Sequence, residues 1–240
     1  MTDNRDSSTR VFRRSAPCVY FSDGRISKME YLFIGKNIAE TYYRYLSKGY
    51  RRIGNVIYRN ACRGCSSCRP LRITREQFQI SRSQKRTMKK NEDVRIEVHT
   101  PAIITPGKSR LYEKYIYSKH GDPDHEEHAH HNDTLSMIHY GYPETIEVDY
   151  LLKNRLIGVG IVDVTKNALS SNYFYYDTDY LQRRPGIFSI LQEIYLAQVL
   201  RKKYYYLGFY IEENPKMSYK KFFRPNQIFV KGRWRNFDSF

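Results

Sequence analysis

The clearest periodicity in this 240-residue chain runs from Gly186 to Lys202, where Ile187, Ile190, Leu191, Ile194, Ala197 and Leu200 fall on one apolar face of a helix. Apolar and polar residues alternate instead over Glu147 to Thr165 and over Leu169 to Tyr176. That period of two predicts strands, the first pair joined at Lys153-Asn154. Tyr204 to Tyr210 reads as a short aromatic strand after the long helix. Upstream, Asn37 to Tyr50 predicts a helix with Ile38, Tyr42, Tyr45 and Leu46 on one face, capped by Asn37 and ended by Gly49. Asn55 to Tyr58, Pro70 to Thr74 and Arg95 to His99 read as extended, Ser81 to Lys90 as a basic helix, and Gly107 to His120 as a further helix.

Strand, strand, turn, long helix, strand is the order found in acyltransferase folds of the GNAT kind. The expected fold class is therefore α+β: an N-terminal module followed by a GNAT-like domain with a mostly antiparallel sheet flanked by helices. Residues 1-15 are polar and without periodicity, which predicts a flexible arm. The Pro101 to Gly107 stretch resembles a linker, so the expected division is 16-100 and 101-240.

Charge changes this picture most. Lys and Arg total 41 against 25 Asp and Glu, a formal net charge of +16. Such an excess implies a polyanionic partner, and its spread over folded-looking sequence favours nucleic acid over a membrane surface. Mean hydropathy is -0.70, and with no leading apolar region or long apolar run the expected location is the cytoplasm, with no membrane partner. Between Glu40 and Glu76 every charge is positive: Arg44, Lys48, Arg51, Arg52, Arg59, Arg63, Arg69, Arg72 and Arg75.

Inside that acid-free stretch Cys62, Cys65 and Cys68 stand at C-x2-C-x2-C spacing, and Cys18 is the only other cysteine. In a reducing compartment such clustering points to metal ligation, and four thiolates suit either a structural zinc or an iron-sulfur cluster. Ordinary buried thiols are the plain alternative. The acidic loop from Asp124 to His131 lacks the His-Glu-x-x-His spacing of zinc proteases and reads as a solvated loop. Ser81, Arg82, Ser83, Gln84, Lys85, Arg86, Lys89 and Lys90 mix hydroxyls with cations at helical spacing, a combination suited to phosphates. Arg183-Arg184-Pro185-Gly186 opens the long helix as a pyrophosphate loop would, although Phe188 stands where a small residue is needed. Lys216 to Pro225 interleaves cations with aromatics, as a binding segment or a packed C-terminal one would.

Taken together, these residues resemble the bacterial aspartate/glutamate leucyltransferases, relatives of eukaryotic arginyl-tRNA protein transferases. The carriers are Pro17-Cys18-Val19-Tyr20, Gly49-Tyr50-Arg51-Arg52, Tyr58 through Cys68, Pro70 with Arg72, Ser81 to Arg86 with Lys90-Asn91, Val162-Asp163-Val164, Leu169-Ser170 with Tyr173, Tyr176 to Asp179, Tyr206-Leu207-Gly208, Lys216 to Lys220 and Gly232-Arg233-Trp234. The chain departs from the family pattern at Thr178, at Pro185 to Phe188, at Tyr195 and at Pro225-Asn226-Gln227. The resemblance implies transfer of an amino acid, leucine before arginine, from charged tRNA to the α-amine of proteins beginning with Asp or Glu, creating an N-degron. It requires no cofactor for the chemistry.

An α-amine has a pKa of about 7.7-8.0 and the ester is already activated, so positioning and oxyanion stabilisation should dominate over strong base catalysis. The expected catalytic residues are Asp177, to orient the amine, and Lys216, Tyr219 and Lys220, for the acceptor or the oxyanion. Arg72, Ser81, Arg82, Ser83, Gln84, Arg86, Lys90 and Arg183 are the expected tRNA or substrate contacts. An apolar slot for leucine would draw on Phe174, Ile187, Phe188 or Leu207. A CoA-dependent N-acetyltransferase and a non-enzymatic zinc-containing RNA-binding protein are the competing classes.

Overall fold

A computed structural model of the chain describes residues 10–33, 38–120 and 133–237. Its first sheet has the strand order β1-β2-β4-β3, built from β1 (Arg10–Pro17), β2 (Ile26–Phe33), β3 (Arg51–Ile53) and β4 (Val56–Asn60). Helix α1 (Ile38–Ser47) buries Ile38, Tyr42 and Leu46. Gly49, at φ +82, then turns the chain into β3. The cap expected at Asn37 lies outside the described residues. Arg10 to Ser15, expected in a free arm, pair with β2 across the whole length of β1. Every residue of that strand is exposed, so it carries no burial periodicity for the sequence to reveal.

The second sheet has eight strands in the order β12-β11-β5-β10-β9-β8-β7-β6. These are β5 (Arg69–Thr74), β6 (Val94–His99), β7 (Thr145–Leu152), β8 (Arg155–Val164), β9 (Ala168–Tyr176), β10 (Tyr204–Tyr210), β11 (Gln227–Val230) and β12 (Arg233–Asn236). All neighbours are antiparallel except β9 and β10. Helices α2 (Arg82–Lys90), α3 (Pro106–His120), α4 (133–139), α5 (Pro185–Val199) and the short α6 (Pro215–Ser218) flank it. The β7–β8 hairpin turns at Lys153 and Asn154, both at positive φ (48 and 64), as a two-residue primed turn requires.

Strands β5 and β6 come from before residue 100, so the sheet runs across the division expected there. Leu71, Ile73 and Val94 are buried in the same core as Val148, Leu169, Ile194 and Tyr205. Helix α5 lies on that core, yet its buried side includes Glu193 among Phe188, Ile190, Leu191, Ile194 and Ala197. A carboxylate in an apolar face costs several kcal/mol unless something uses it.

Candidate active site

The site forms where the two parallel strands part. β9 and β10 are paired only from Ala168–Tyr204 to Ser170–Tyr206. Beyond that point β9 bulges at Asn172, between its pairings of Ser171 with Val162 and Tyr173 with Ile161. β10 breaks register against β5 between Tyr206 and Gly208, with Gly208 at φ +83. Bulges kink strands and re-aim side chains, and here they open a gap in the sheet.

Polar side chains converge on this gap from four directions. Arg51, from β3, donates to Ser170 Oγ at 2.9 Å and to the Ser171 carbonyl. Tyr205, from β10, donates to Glu193 Oε2 at 2.8 Å. Lys220, in the 3-10 turn Tyr219–Phe222, donates to the Phe209 carbonyl at 3.0 Å. Gly208 separates the two cations: a Cβ there would lie 3.6 Å from Arg51 Cζ and 3.7 Å from Lys220 Nζ. Burial lifts the Glu193 carboxyl to about 7 despite the opposing Tyr205 hydrogen bond and the nearby Arg51 and Lys220 charges. Desolvation, with Arg51 nearby, lowers Lys220 to about 7 even though Glu193 opposes the shift. Two groups at one opening therefore exchange protons near neutrality.

Of the expected catalytic residues, Lys220 lies in this cluster. Tyr219 lies beside it, half-buried, its hydroxyl 3.4 Å from where a Cβ on Gly186 would stand. Lys216 is exposed. Asp177 is buried and already committed: it pairs with Lys114 at 2.5 Å and Arg155 at 2.8 Å and caps the 3-10 turn Thr178–Arg183 through the Asp179 N–H. Burial works against its ionised form, but Lys114 and the other donors hold its pKa below the ordinary carboxylate range. Asp177 is thus a fastener between β9, β8 and α3, without a free lone pair aimed at the gap.

The expected tRNA contacts divide in the same way. Ser81 and Gln84 form a reciprocal capping box at the start of α2. Ser83 accepts from Arg184, Arg183 pairs with Asp93 at 2.6 Å, and Arg72 bonds Gln227 and Tyr206 while stacking on Tyr204 and Trp234. These are structural. Arg82, Arg86 and Lys90 are exposed, together with Lys85 and Lys89, and form the free cationic face of α2. At α5, the N–H groups of Ile187 and Phe188 already donate to the Arg184 carbonyl, and Phe188 is buried. This helix start is filled rather than left open for a CoA pyrophosphate.

A cleft of about 470 Å³ adjoins the gap, with Lys48, Arg59, Arg69, Lys231, Phe229 and the three clustered cysteines in its walls and no carboxylate. Phe209 lines this cleft while its carbonyl holds Lys220. Burial and the neighbouring thiols of Cys18, Cys62 and Cys65 push the Cys68 thiol up to about 12, so the four sulfurs share one neighbourhood. The Lys28 N–H donates to Cys62 Sγ at 3.2 Å and Arg25 approaches Cys65 Sγ at 3.9 Å, contacts that suit thiolates. No three of these sulfurs come mutually within 4.8 Å, a spacing that His99, Glu147 and Asp149 do reach. That last trio carries its own cation, since Lys108 pairs with both carboxylates. The acidic loop at 124–131 lies outside the described residues.

Sequence reasoning missed Arg51 as a site residue, along with Glu193, Tyr205 and the glycine at 208. Two signals were available: Arg51 and Gly208 stand in motifs that carry the family resemblance, and Glu193 is a lone acid at a position where the α5 pattern calls for an apolar residue.

An opening where the parallel strands β9 and β10 part, with two cations and a carboxylate beside it, is the candidate site on an α+β fold with a mostly antiparallel sheet. Residues 107–230 match the C-terminal segment of arginine-tRNA-protein transferase and residues 16–86 its N-terminal segment. The aspartate/glutamate leucyltransferase of Aeromonas hydrophila is 35% identical over 84% of this chain and 83% of its own, and that of Saccharophagus degradans 34% identical over 92% and 93%. The chain therefore belongs to the arginine-tRNA-protein transferase family and is an aminoacyl-tRNA protein transferase. In fold it is similar to L-PGS from Bacillus licheniformis, with a TM-score of 0.50 and 9% identity over 95% of this chain and 82% of that one.

Proposed function

We propose that the protein moves leucine from leucyl-tRNA to the N-terminal α-amine of proteins beginning with Asp or Glu. The observation that carries this reading is the Arg51–Glu193–Lys220 cluster in the gap between β9 and β10, in a chain whose relatives are named for that transfer. The amine nitrogen attacks the ester carbonyl carbon, a C–N bond forms, and the C–O bond to the terminal ribose breaks. One proton leaves the amine and one reaches the departing ribose oxygen. Lys220, titrating near 7, is suited to carry those protons. The Arg51 guanidinium, beside Lys220 at Gly208, is placed to steady the oxyanion.

The leucine side chain fits the aromatic wall where Tyr150 meets Phe174 and Phe188 edge-on, with ring centroids 5.4 and 5.8 Å apart. The acceptor's carboxylate suits the acid-free cleft, and the tRNA backbone suits the free cations of α2. In this reading Cys18, Cys62, Cys65 and Cys68 hold a structural metal, zinc or an iron-sulfur cluster, which would draw the sulfurs together and brace the cleft wall without entering the reaction. The product would carry an N-degron, made in the cytoplasm.

Arginine is the second donor to consider, because a buried carboxylate such as Glu193 also suits a guanidinium. Labelled leucyl-tRNA and arginyl-tRNA, each offered with peptides starting in Asp, Glu or Ala, separate the cases. The expected result is leucine on the Asp and Glu peptides alone; label on no peptide would sink the transferase reading.

A further inference from the structure

Two polar atoms of the cluster have no partner. Glu193 Oε1 and the Tyr150 hydroxyl are buried and unbonded, although the Glu193 carboxyl is held at Oε2 by Tyr205 and is also approached by the Ser171 side chain. The two residues are 1% and 2% exposed and come from different elements, α5 and β7. They meet over the same stretch of β8 on the α5 side of the sheet. A Cβ on Gly160 would stand 3.4 Å from Glu193 Oε1 and 3.7 Å from the Tyr150 ring, and one on Gly158 would meet Phe174 at 3.2 Å. Two glycines on β8 thus give these side chains their room. An unpaired buried carboxylate oxygen and an unpaired buried hydroxyl are each costly to retain, so a site that keeps both side by side is organised for something that arrives.

We propose that Glu193, assisted by Tyr150, binds the free α-ammonium of the donor aminoacyl group. An aminoacyl ester carries that ammonium one carbon from the carbonyl under attack. A receptor for it needs a carboxylate on one side and, within a few ångströms, cations for the oxyanion on the other. The gap offers this order: Glu193 beneath α5, then Arg51 and Lys220 beside Gly208. The aromatic wall formed by Phe174 and Phe188 adjoins Tyr150 and takes the side chain. A donor with a blocked or missing amine leaves Glu193 buried without a partner, so the site selects aminoacyl groups over simple acyl groups.

The inference rests on the transferase reading, but its test measures binding of unreactive donor mimics and not transfer. The probes are 3′-deoxyadenosine bearing leucine through a 3′-amide, the same molecule with 4-methylpentanoyl in place of leucyl, and the arginyl counterpart. Calorimetric titration of the full chain should show the leucyl mimic binding about 30-fold more tightly than the des-amino mimic, the scale of one charged hydrogen bond. Glu193→Gln, near-isosteric and checked for folding by its melting transition, should bring that ratio close to one. Tyr150→Phe should lower it by a few fold. A preference that survives E193Q, or equal binding of the two mimics by the unaltered protein, overturns the assignment. So does an arginyl mimic whose advantage over the leucyl one vanishes in E193Q while the amine preference persists, because Glu193 would then read a guanidinium. Failure of the transferase reading would appear separately, as intact mimic selectivity with no labelled peptide.

Discussion

Arg51 and Arg52 are neighbours on β3, both buried, and they have opposite fates. Arg52 is saturated: it grips Asp163 at 2.9 and 2.6 Å and donates to the carbonyls of Gly54 and Tyr140 at 2.7 and 3.0 Å. Thr145 closes the set by donating to Asp163 at 2.9 Å. Among the described residues no carboxylate pairs with Arg51, which also bonds Tyr58. It spends its donors on a hydroxyl and a carbonyl of β9 and faces Lys220 across Gly208. Both arginines reach from the first sheet to neighbouring positions of the second, Arg52 to Asp163 on β8 and Arg51 to Ser170, the residue paired with Asp163 on β9, so what divides them is the carboxylate that one meets and the other does not. A fully paired buried ion stabilises one conformation; an under-paired one stores an interaction for a ligand.

Substitution should separate the two. Arg52→Ala strands Asp163 in the core and should cost about 3–5 kcal/mol of stability, read by urea denaturation, with activity lost along with the fold. Arg51→Ala should leave a cooperatively folded protein whose single-turnover transfer falls by about 100- to 1,000-fold, the scale of one lost oxyanion donor. Equal loss of stability in both variants would erase the contrast.

A third experiment reads the gap through pH. The Glu193 carboxyl is raised to about 7 in the folded chain. From about pH 4.5 to 7 the unfolded chain gives up this proton while the folded chain keeps it, so stability falls as pH rises through that window. Relative to E193Q, the unaltered protein should lose about 3 kcal/mol across it. Lys220 is lowered to about 7, so its contribution runs the other way and appears only above that pH, where the unfolded chain holds the extra proton. Parallel pH profiles for the two proteins would deny the shift. The smallest effect belongs to the surface: Arg82→Ala with Arg86→Ala should weaken tRNA binding a few fold and reduce its salt slope by about one per cation removed, with little change in the rate at saturating tRNA.

The local rules were legible in the sequence where one face is buried. The α5 stripe, the Lys153-Asn154 turn and the capped α2 helix all follow from periodicity and turn chemistry. β1 was not legible because it is exposed on both faces, and the expected boundary at residue 100 concealed two strands that pair with partners far along the chain. At the site, Lys220 could be picked out from a cation–aromatic segment. The engagement of Asp177, expected to orient the amine, with Lys114 and Arg155 could not be read from the chain, since it depends on contacts 63 and 22 positions away. Arg51 and Arg52 are indistinguishable as letters, and only the packing of two sheets assigns their roles.

Aminoacyl transfer in the gap between β9 and β10, with Lys220 carrying the proton, leaves a pH signature of its own. The most direct measurement is the single-turnover rate of leucyl transfer to an Asp-starting peptide, followed from pH 5.5 to 9, for the unaltered protein and for Lys220→Met. The unaltered protein should show a rate that rises through an apparent pKa near 7 as the Lys220 ammonium loses its proton. K220M should be slower by about 100-fold or more at pH 8, keep only the rise set by the acceptor amine at about 7.7-8.0, and still bind tRNA. A K220M protein with an unchanged rate and an unchanged pH profile would contradict the account.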